Sequence, residues 1–334
     1  MKITMDDIAE KLGIHRSTVS LALRNSPKIS ATTQKRVKET AIQMGYKANP
    51  YVSALMRSRR SGKDPDNPPV IALITADRTK EHWKTGYNPR RFVDGANKVA
   101  QNLGIRLEPF WAGDTSHERL HQILLSRGIQ GAVLLHHGEL RNKLHHDWTN
   151  LSIVNYGICD HSFNTDWVSA DLYGNMELIL DTLNNRGIER IGFVMAPPYT
   201  FNNQNRWLSC YESDQRQKSE AKRLEPLIHE SPNFDRFKRW FKKNQPKVVL
   251  CVRPPMVIRW LERMNLRVPE DVGLVTVGNA ETDGEISGII EQPELCGKIA
   301  IEMLMSHIHN NEFGVLEEPR LITVRGQWNE GRTL

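Results

Sequence analysis

The 334-residue chain has little cysteine, few aromatics and no long apolar run. Its four cysteines, Cys159, Cys210, Cys251 and Cys296, stand far apart with no close pair. That argues against a zinc ribbon or a disulfide framework and fits a reduced cytosol. No apolar stretch approaches the roughly 20 residues that a membrane-spanning helix needs. The opening segment, MKITMDDIAEKLGIHRS, carries acids and no apolar core of signal-peptide type, so secretion is not expected. A phosphate loop, a Gly-x-Ser-x-Gly turn and a dinucleotide fingerprint are also missing, and no cofactor is expected. What remains is an ordinary globular composition, 39% hydrophobic and 25% charged, in a chain long enough for two or three domains.

Charge is distributed unevenly. Residues 1–63 hold 13 Lys/Arg against 4 Asp/Glu, whereas the remainder holds 32 against 35, within a total of +6. A small basic head on a mildly acidic body is the footprint of a module that meets a polyanion. The first 46 residues read as three short helices. Thr4 caps the first with Asp7 three positions on, Ile8, Ala9 and Leu12 form its apolar face, and Gly13 ends it. The second, HRSTVSLALRN, turns Val19, Ala22 and Leu23 inward; Ser30 caps the third, whose Val37, Ala41 and Met44 pack back. A helix, a sharp turn and a second helix opening on polar residues form a helix-turn-helix. The second helix is then the one that enters the major groove, with Arg16, Ser17, Ser20 and Leu21 outward. Arg16 can donate twice to a guanine, the serines can reach bases or phosphates, and Leu21 can touch a thymine methyl. Thr4, Asn25 and Lys35 are expected to contact phosphates.

After Tyr46, a short helix can start at Pro50, and Gly62 to Pro69 reads as linker. From Val70 the pattern becomes alternating strands and helices. VIALITA, IRLEPFW, GAVLLHH, SIVNYGI, RIGFVMA, VVLCV and GLVTVGN read as strands, with RLITVRGQW as one further strand near the end. Asn88-Pro89 is read as the cap and first turn of a helix ending at Gly104. Two such runs imply two doubly wound subdomains with parallel sheets and a cleft between them.

The stretch MDDIAEKLGIHRSTVSLALRNSPKISATTQKRVKETAIQMGYKAN resembles the head of the LacI/GalR family of bacterial regulators. The resemblance rests on Asp7-Ile8-Ala9, Gly13, Ser17-Thr18-Val19-Ser20, Asn25, Ser30, Thr33, Arg36-Val37 and Gly45-Tyr46. It continues in Gly128-Ile129-Gln130-Gly131, Arg267 to Val272, and Gln292-Pro293. It implies an all-α helix-turn-helix head over residues 1–46, a hinge helix and linker over 47–68, and a periplasmic-binding-protein-like α/β body over 69–334. The expected N-subdomain is about 69–162 plus 294–323, and the C-subdomain about 163–293 plus 324–334. The resemblance also implies a leucine wedge in the minor groove, Leu55, followed by the basic Arg57, Arg59 and Arg60. Three departures stand out: Ala48 where the family has proline, Leu21 where many members place arginine, and His15 in place of the serine cap.

By the same resemblance the body senses an effector between its lobes, with Arg206 as a contact. The family's polar residues after two strands are replaced by Arg253-Pro254 and Gly278-Asn279, so the effector is a sugar, a sugar derivative or an anionic metabolite suited to two arginines. Asp77, His136, Asn155 and Asn279 complete the candidate effector contacts. The expected function is an operator-binding homodimer, a repressor in the family's commoner outcome, in the cytoplasm and not an enzyme; no heptad tail announces a tetramer. Two alternatives compete. His117-Glu118-x-x-His121, with Glu139 beyond, matches a zinc-peptidase motif and would make a zinc-dependent hydrolase. A DNA-binding protein with a degenerate pocket is the other.

Overall fold

The computed structural model describes residues 3–23, 26, 28–46, 68–77, 79–135, 148–158, 164–195, 205–228, 231–278 and 285–334. The candidates Asn25, Leu55, Arg57, His136 and Asn279, together with Glu139, lie outside them.

The head consists of α1 (Met5–Leu12), α2 (Arg16–Leu23) and α3 (Ala31–Gln43). Ile8, Val19, Ala22 and Val37 are completely buried at its centre, with Leu12, Leu23 and Met44 packed around them. These are the apolar positions of the 3.6-residue period, and three such stripes on short helices can be buried only against one another.

The body opens with β1 (Val70–Thr75), α4 (His82–Thr85), α5 (Tyr87–Asn102), β2 (Arg106–Trp111), α6 (His117–Ser126), β3 (Gly131–Leu135), β4 (Ser152–Tyr156) and β5 (Asp166–Ala170). It continues with α7 (Leu172–Asn185), β6 (Ile191–Met195), α8 (Arg206–Gln217), β7 (Leu227–Ile228), α9 (Phe234–Asn244), β8 (Val248–Cys251), α10 (Pro254–Glu262), β9 (Gly273–Thr276) and β10 (Ser287–Ile290). Then come α11 (Pro293–Asn310), β11 (Leu321–Val324) and β12 (Gln327–Asn329). Two six-stranded sheets result, ordered β11-β5-β4-β3-β1-β2 and β12-β10-β9-β8-β6-β7. The described pairings are parallel except β10 with β12. Apolar clusters cover both faces of each sheet, which is why the strands are apolar along their length and do not alternate. In each sheet the strand order reverses once, between β1 and β3 and between β6 and β8, and crevices open at the carboxyl ends there.

Two expectations are corrected. The seam expected at residue 162 falls later, because β5 pairs with β4 in the first sheet, Val154 opposite Asp166, and the chain leaves that lobe only after Ala170. The single strand expected in RLITVRGQW is two strands in different sheets. Val324 pairs with Ala170 in the first sheet and Gln327 with Ile290 in the second, so Arg325-Gly326 is a crossover between lobes. Three crossovers thus join the lobes, and they are tied together. Gln292 donates to the Arg325 carbonyl at 2.7 Å, the Gly326 N–H to Asn175 Oδ1 at 2.7 Å, and the Asp171 N–H to the Val324 carbonyl at 2.9 Å.

Candidate nucleic-acid interface and interlobe cleft

The turn between α1 and α2 is set by Gly13, whose φ of 62° lies in the left-handed region and lets its N–H reach the Glu10 carbonyl at 3.2 Å. Upstream, the capping box is complete. Asp7 N–H donates to Thr4 Oγ1 at 3.2 Å, while the Thr4 N–H and hydroxyl each donate to Asp7 Oδ2 at 2.7 Å. These bonds to the Thr4 backbone and side chain hold the Asp7 carboxyl below its usual range against slight desolvation. Thr4 is therefore first a cap, and a phosphate has to share its hydroxyl. At the start of α2, His15 Nδ1 accepts from the Ser17 N–H at 3.3 Å and lies 2.8 Å from Ser17 Oγ. An imidazole does here what a serine hydroxyl does at other caps.

With Val19 and Ala22 buried, α2 turns Arg16, Ser17, Ser20 and Leu21 to its outer side, Ser17 exposed and the others half-buried. Arg16 Nε lies 3.6 Å from Asp6 Oδ2, and its Nη2 donates to Asn310 at the end of α11. Lys35 is 79% exposed on α3, with Glu39 at 4.0 Å. Gln34 fixes the α2–α3 connection by donating to the Ser26 and Ile29 carbonyls, both at 2.9 Å.

In the body the effector candidates separate. Asp77 stands two residues beyond β1, is 8% exposed, and has its carboxyl pushed up by burial against the opposing pull of His82. Arg206 opens α8, and the exposed Arg253 precedes α10, its carbonyl accepting from the Met256 and Val257 N–H groups at 3.1 and 3.3 Å. Asn155 is fully buried in β4, where its amide N–H donates to the Thr165 hydroxyl.

Sequence reasoning missed the group that does bridge the lobes. Glu291, immediately after β10, accepts from Asn88 Nδ2 at 2.6 Å. A Cβ placed on Gly278 would lie 3.1 Å from Glu291 Oε1 and 3.5 Å from Trp207 Cζ2. Burial drives the Glu291 carboxyl above its usual range, with the Asn88 bond opposing, and its charge helps push up Tyr156 and Cys296, the thiol to about 12. Asn88 is not the helix cap expected of it. Gly86 holds that position without a side-chain bond, so the Asn88 amide is left to cross to the other lobe. No sequence pattern announces a contact over 203 residues; only the packing of the two sheets creates it.

The zinc-motif residues have other tasks. His117 packs edge-on against Trp148 with ring centroids 4.3 Å apart, and His121 Nε2 lies 2.8 Å from the Thr149 carbonyl. Among the described residues no group of three His, Cys, Asp or Glu is disposed to hold a metal.

Residues 4–49 match the model for bacterial regulatory proteins of the lacI family, and residues 180–326 match a periplasmic binding protein-like domain. The head is thus similar to lacI-family heads, and the stretch from α7 to the last crossover to periplasmic binding protein-like domains. The family's head model covers the capping box, the Gly13 turn and the whole of α2 and α3. Among curated relatives, the HTH-type transcriptional regulator IpsA of Corynebacterium glutamicum is 31% identical over 137 residues, 39% of this chain and 35% of that protein. The maltose regulon regulatory protein MalI of Escherichia coli is 31% identical over 136 residues, 40% of this chain and 35% of that protein. The matched stretch thus spans about a third of the length of these relatives. Among solved structures, the transcriptional regulator CelR–cellobiose complex aligns over 100% of both chains with a TM-score of 0.57 at 18% identity. The lac repressor dimer bound to operator and the anti-inducer ONPF aligns over 100% of this chain and 99% of that chain, with a TM-score of 0.57 at 15% identity. At such identities the likeness is one of fold. Among the described residues no helix is long and apolar enough to cross a membrane.

Proposed function

We propose that this chain is a sequence-specific DNA-binding transcriptional regulator of the LacI family, a repressor acting as a cytoplasmic homodimer, whose operator affinity is set by a small molecule held between its lobes. The observation that carries the reading is the joining of two devices in one chain. A three-helix head presents the N-terminal side chains of α2, and a two-lobed body has three tied crossovers about which a cleft can close. The structural neighbours agree in kind, one being a complex with cellobiose and another a dimer bound to operator.

In this mechanism α2 lies in the major groove and Arg16 exchanges its contacts with Asp6 and Asn310 for a guanine edge. The Asp6 pair is an exposed one at 3.6 Å, of the class that contributes only about 0–1 kcal/mol, so a bidentate base contact displaces it readily. Thr4, Asn25 and Lys35 position the head on phosphates, and the segment containing Leu55 and Arg57 reaches the minor groove. Two linked heads on a pseudo-palindrome gain affinity through effective concentration, which is the physical case for the dimer. Ligand closure then changes the separation of the two hinges and with it operator affinity. The reading contains no catalysis: the relatives are regulators, and the His117/His121 pair is engaged with Trp148 and Thr149.

The test is selection of bound sequences from a random double-stranded DNA pool at two salt concentrations. A recovered pseudo-palindrome bound with a steep salt slope is expected. Failure to enrich any sequence, by a protein shown to be folded, sinks the proposal.

A further inference from the structure

We propose that the interlobe cleft recognises its ligand through a positively charged amine, received by the carboxylate of Glu291 and the amide oxygen of Asn88, with an oxygen beside the amine accepting from the indole of Trp207. This rests on the reading of the cleft as the effector site and names the ligand class it takes.

Elements of both lobes converge on Glu291. Asn88 comes from α5 of the first lobe, Tyr156 from the end of β4, Trp207 from the first turn of α8, Gly278 from just beyond β9, and Cys296 from α11. None of these groups is a cation. Glu291 is shaped by burial and by the Asn88 bond, and among the described residues no lysine, arginine or histidine is paired with it. A buried carboxylate without a counter-charge costs stability, and such sites are completed by a group that brings charge and donors.

The hydrogen-bond inventory indicates which group. Asn88 Oδ1 and Trp207 Nε1 are both buried and unpartnered, in residues that otherwise form the wall around Glu291. The Glu291 carboxylate and Asn88 Oδ1 accept there; one carboxylate oxygen already takes the Asn88 N–H, and the buried donor left without a partner is the Trp207 indole. An ammonium, with three donors and no acceptor, matches the acceptor side. The indole N–H requires one acceptor next to it, as an amino alcohol or amino sugar supplies. A phosphate or carboxylate ligand would instead set a like charge against the Glu291 carboxylate. The anionic metabolite suggested by Arg206 and Arg253 is therefore not the class this wall accepts. In place of the family's polar residues after the β9 strand, a carboxylate from the neighbouring β10 end stands against Gly278.

The experiment is thermal unfolding of the full chain in two series. Without ligand, Glu291→Gln and Asn88→Lys are each expected to raise Tm by several degrees, the first by removing the unneutralised charge and the second by tethering an amine beside it. Asn88→Met, of similar reach but uncharged, is expected to lower it. With glucosamine, glucose and glucose 6-phosphate as probes on the wild type, glucosamine is expected to give the largest rise, and Glu291→Gln to abolish its advantage. A fall in Tm for Glu291→Gln, equal effects of Asn88→Lys and Asn88→Met, or no preference for glucosamine over the other two probes overturns the proposal. DNA selection run without ligand on wild type and Glu291→Gln reports on the regulator reading separately, because neither thermal series depends on it.

Discussion

Arg16 and Asp166 stand at the two ends of the range over which one side chain can matter here. Arg16 is on the surface of a marginal three-helix head, and its value lies in what it meets outside the chain. Arg16→Ala is expected to cost about 1–3 kcal/mol of discrimination at one operator position, while leaving the head folded. Affinities for operator variants, with circular dichroism of the head, check this; uniform weakening across all variants would mark Arg16 as a phosphate contact instead. Asp166 is fully buried at the start of β5, accepting from the Arg320 N–H at 2.7 Å, from Arg320 Nε at 2.8 Å, and lying 3.0 Å from His307 Nε2. Burial alone would raise its carboxyl, but His307 and Arg320 together hold it below the usual range. Its stabilisation is thus complete above the unfolded value of about 3.9 and is lost as pH falls through the lower folded value. Asp166→Asn is expected to destabilise the body by about 2–4 kcal/mol, less than a wholly buried pair would lose because Arg320 is 59% exposed. Denaturant titrations across the acid range check it: the wild type shows this acid step, and the variant lacks it.

At the scale of elements, the tightest constraint is the crossing of α5 and α11. A Cβ on Gly95 would lie 2.0 Å from the Glu294 carbonyl oxygen, and one on Gly297 would lie 2.0 Å from the Phe92 carbonyl oxygen. The two helices touch backbone to backbone, each glycine admitting the other's carbonyl. Gly297→Ala is expected to destabilise by about 1–3 kcal/mol, the usual cost of overpacking, even though alanine is the better helix former. A lowered denaturation midpoint with an unchanged slope is the result to look for. The proposed hinge segment makes a second case. Leu55→Ala is expected to weaken operator binding while dimerisation is retained, and gel-shift titration beside sedimentation separates the two. Unchanged affinity would remove Leu55 from the interface. The helix period makes α6 legible in the sequence over its whole length, whereas α11 is not, because its apolar positions continue around the helix.

At the scale of the whole molecule, the division of charge governs binding. An N-terminal stretch, residues 1–63, of 13 basic against 4 acidic residues, presented twice, is expected to make affinity fall with a slope of about −0.9 in log salt per phosphate contact. For about 6–10 contacts this amounts to a loss of roughly 10³–10⁵ between 50 and 200 mM salt. Filter binding across that range checks it, and a flat profile would show that the basic head does not meet phosphates. By itself the sequence determined what depends on neighbours along the chain. The capping box at Thr4, the turn at Gly13, the outward face of α2 and the apolar strands of two doubly wound lobes follow from local periodicity and local stereochemistry. Only the tertiary structure decided what depends on distant segments meeting. It assigned β5 to the first lobe, split the last strand between two sheets, buried Asn155, and brought Asn88 to Glu291. Those outcomes follow from how one sheet lies against another, and a contact between residues 203 positions apart leaves no period in the sequence to read.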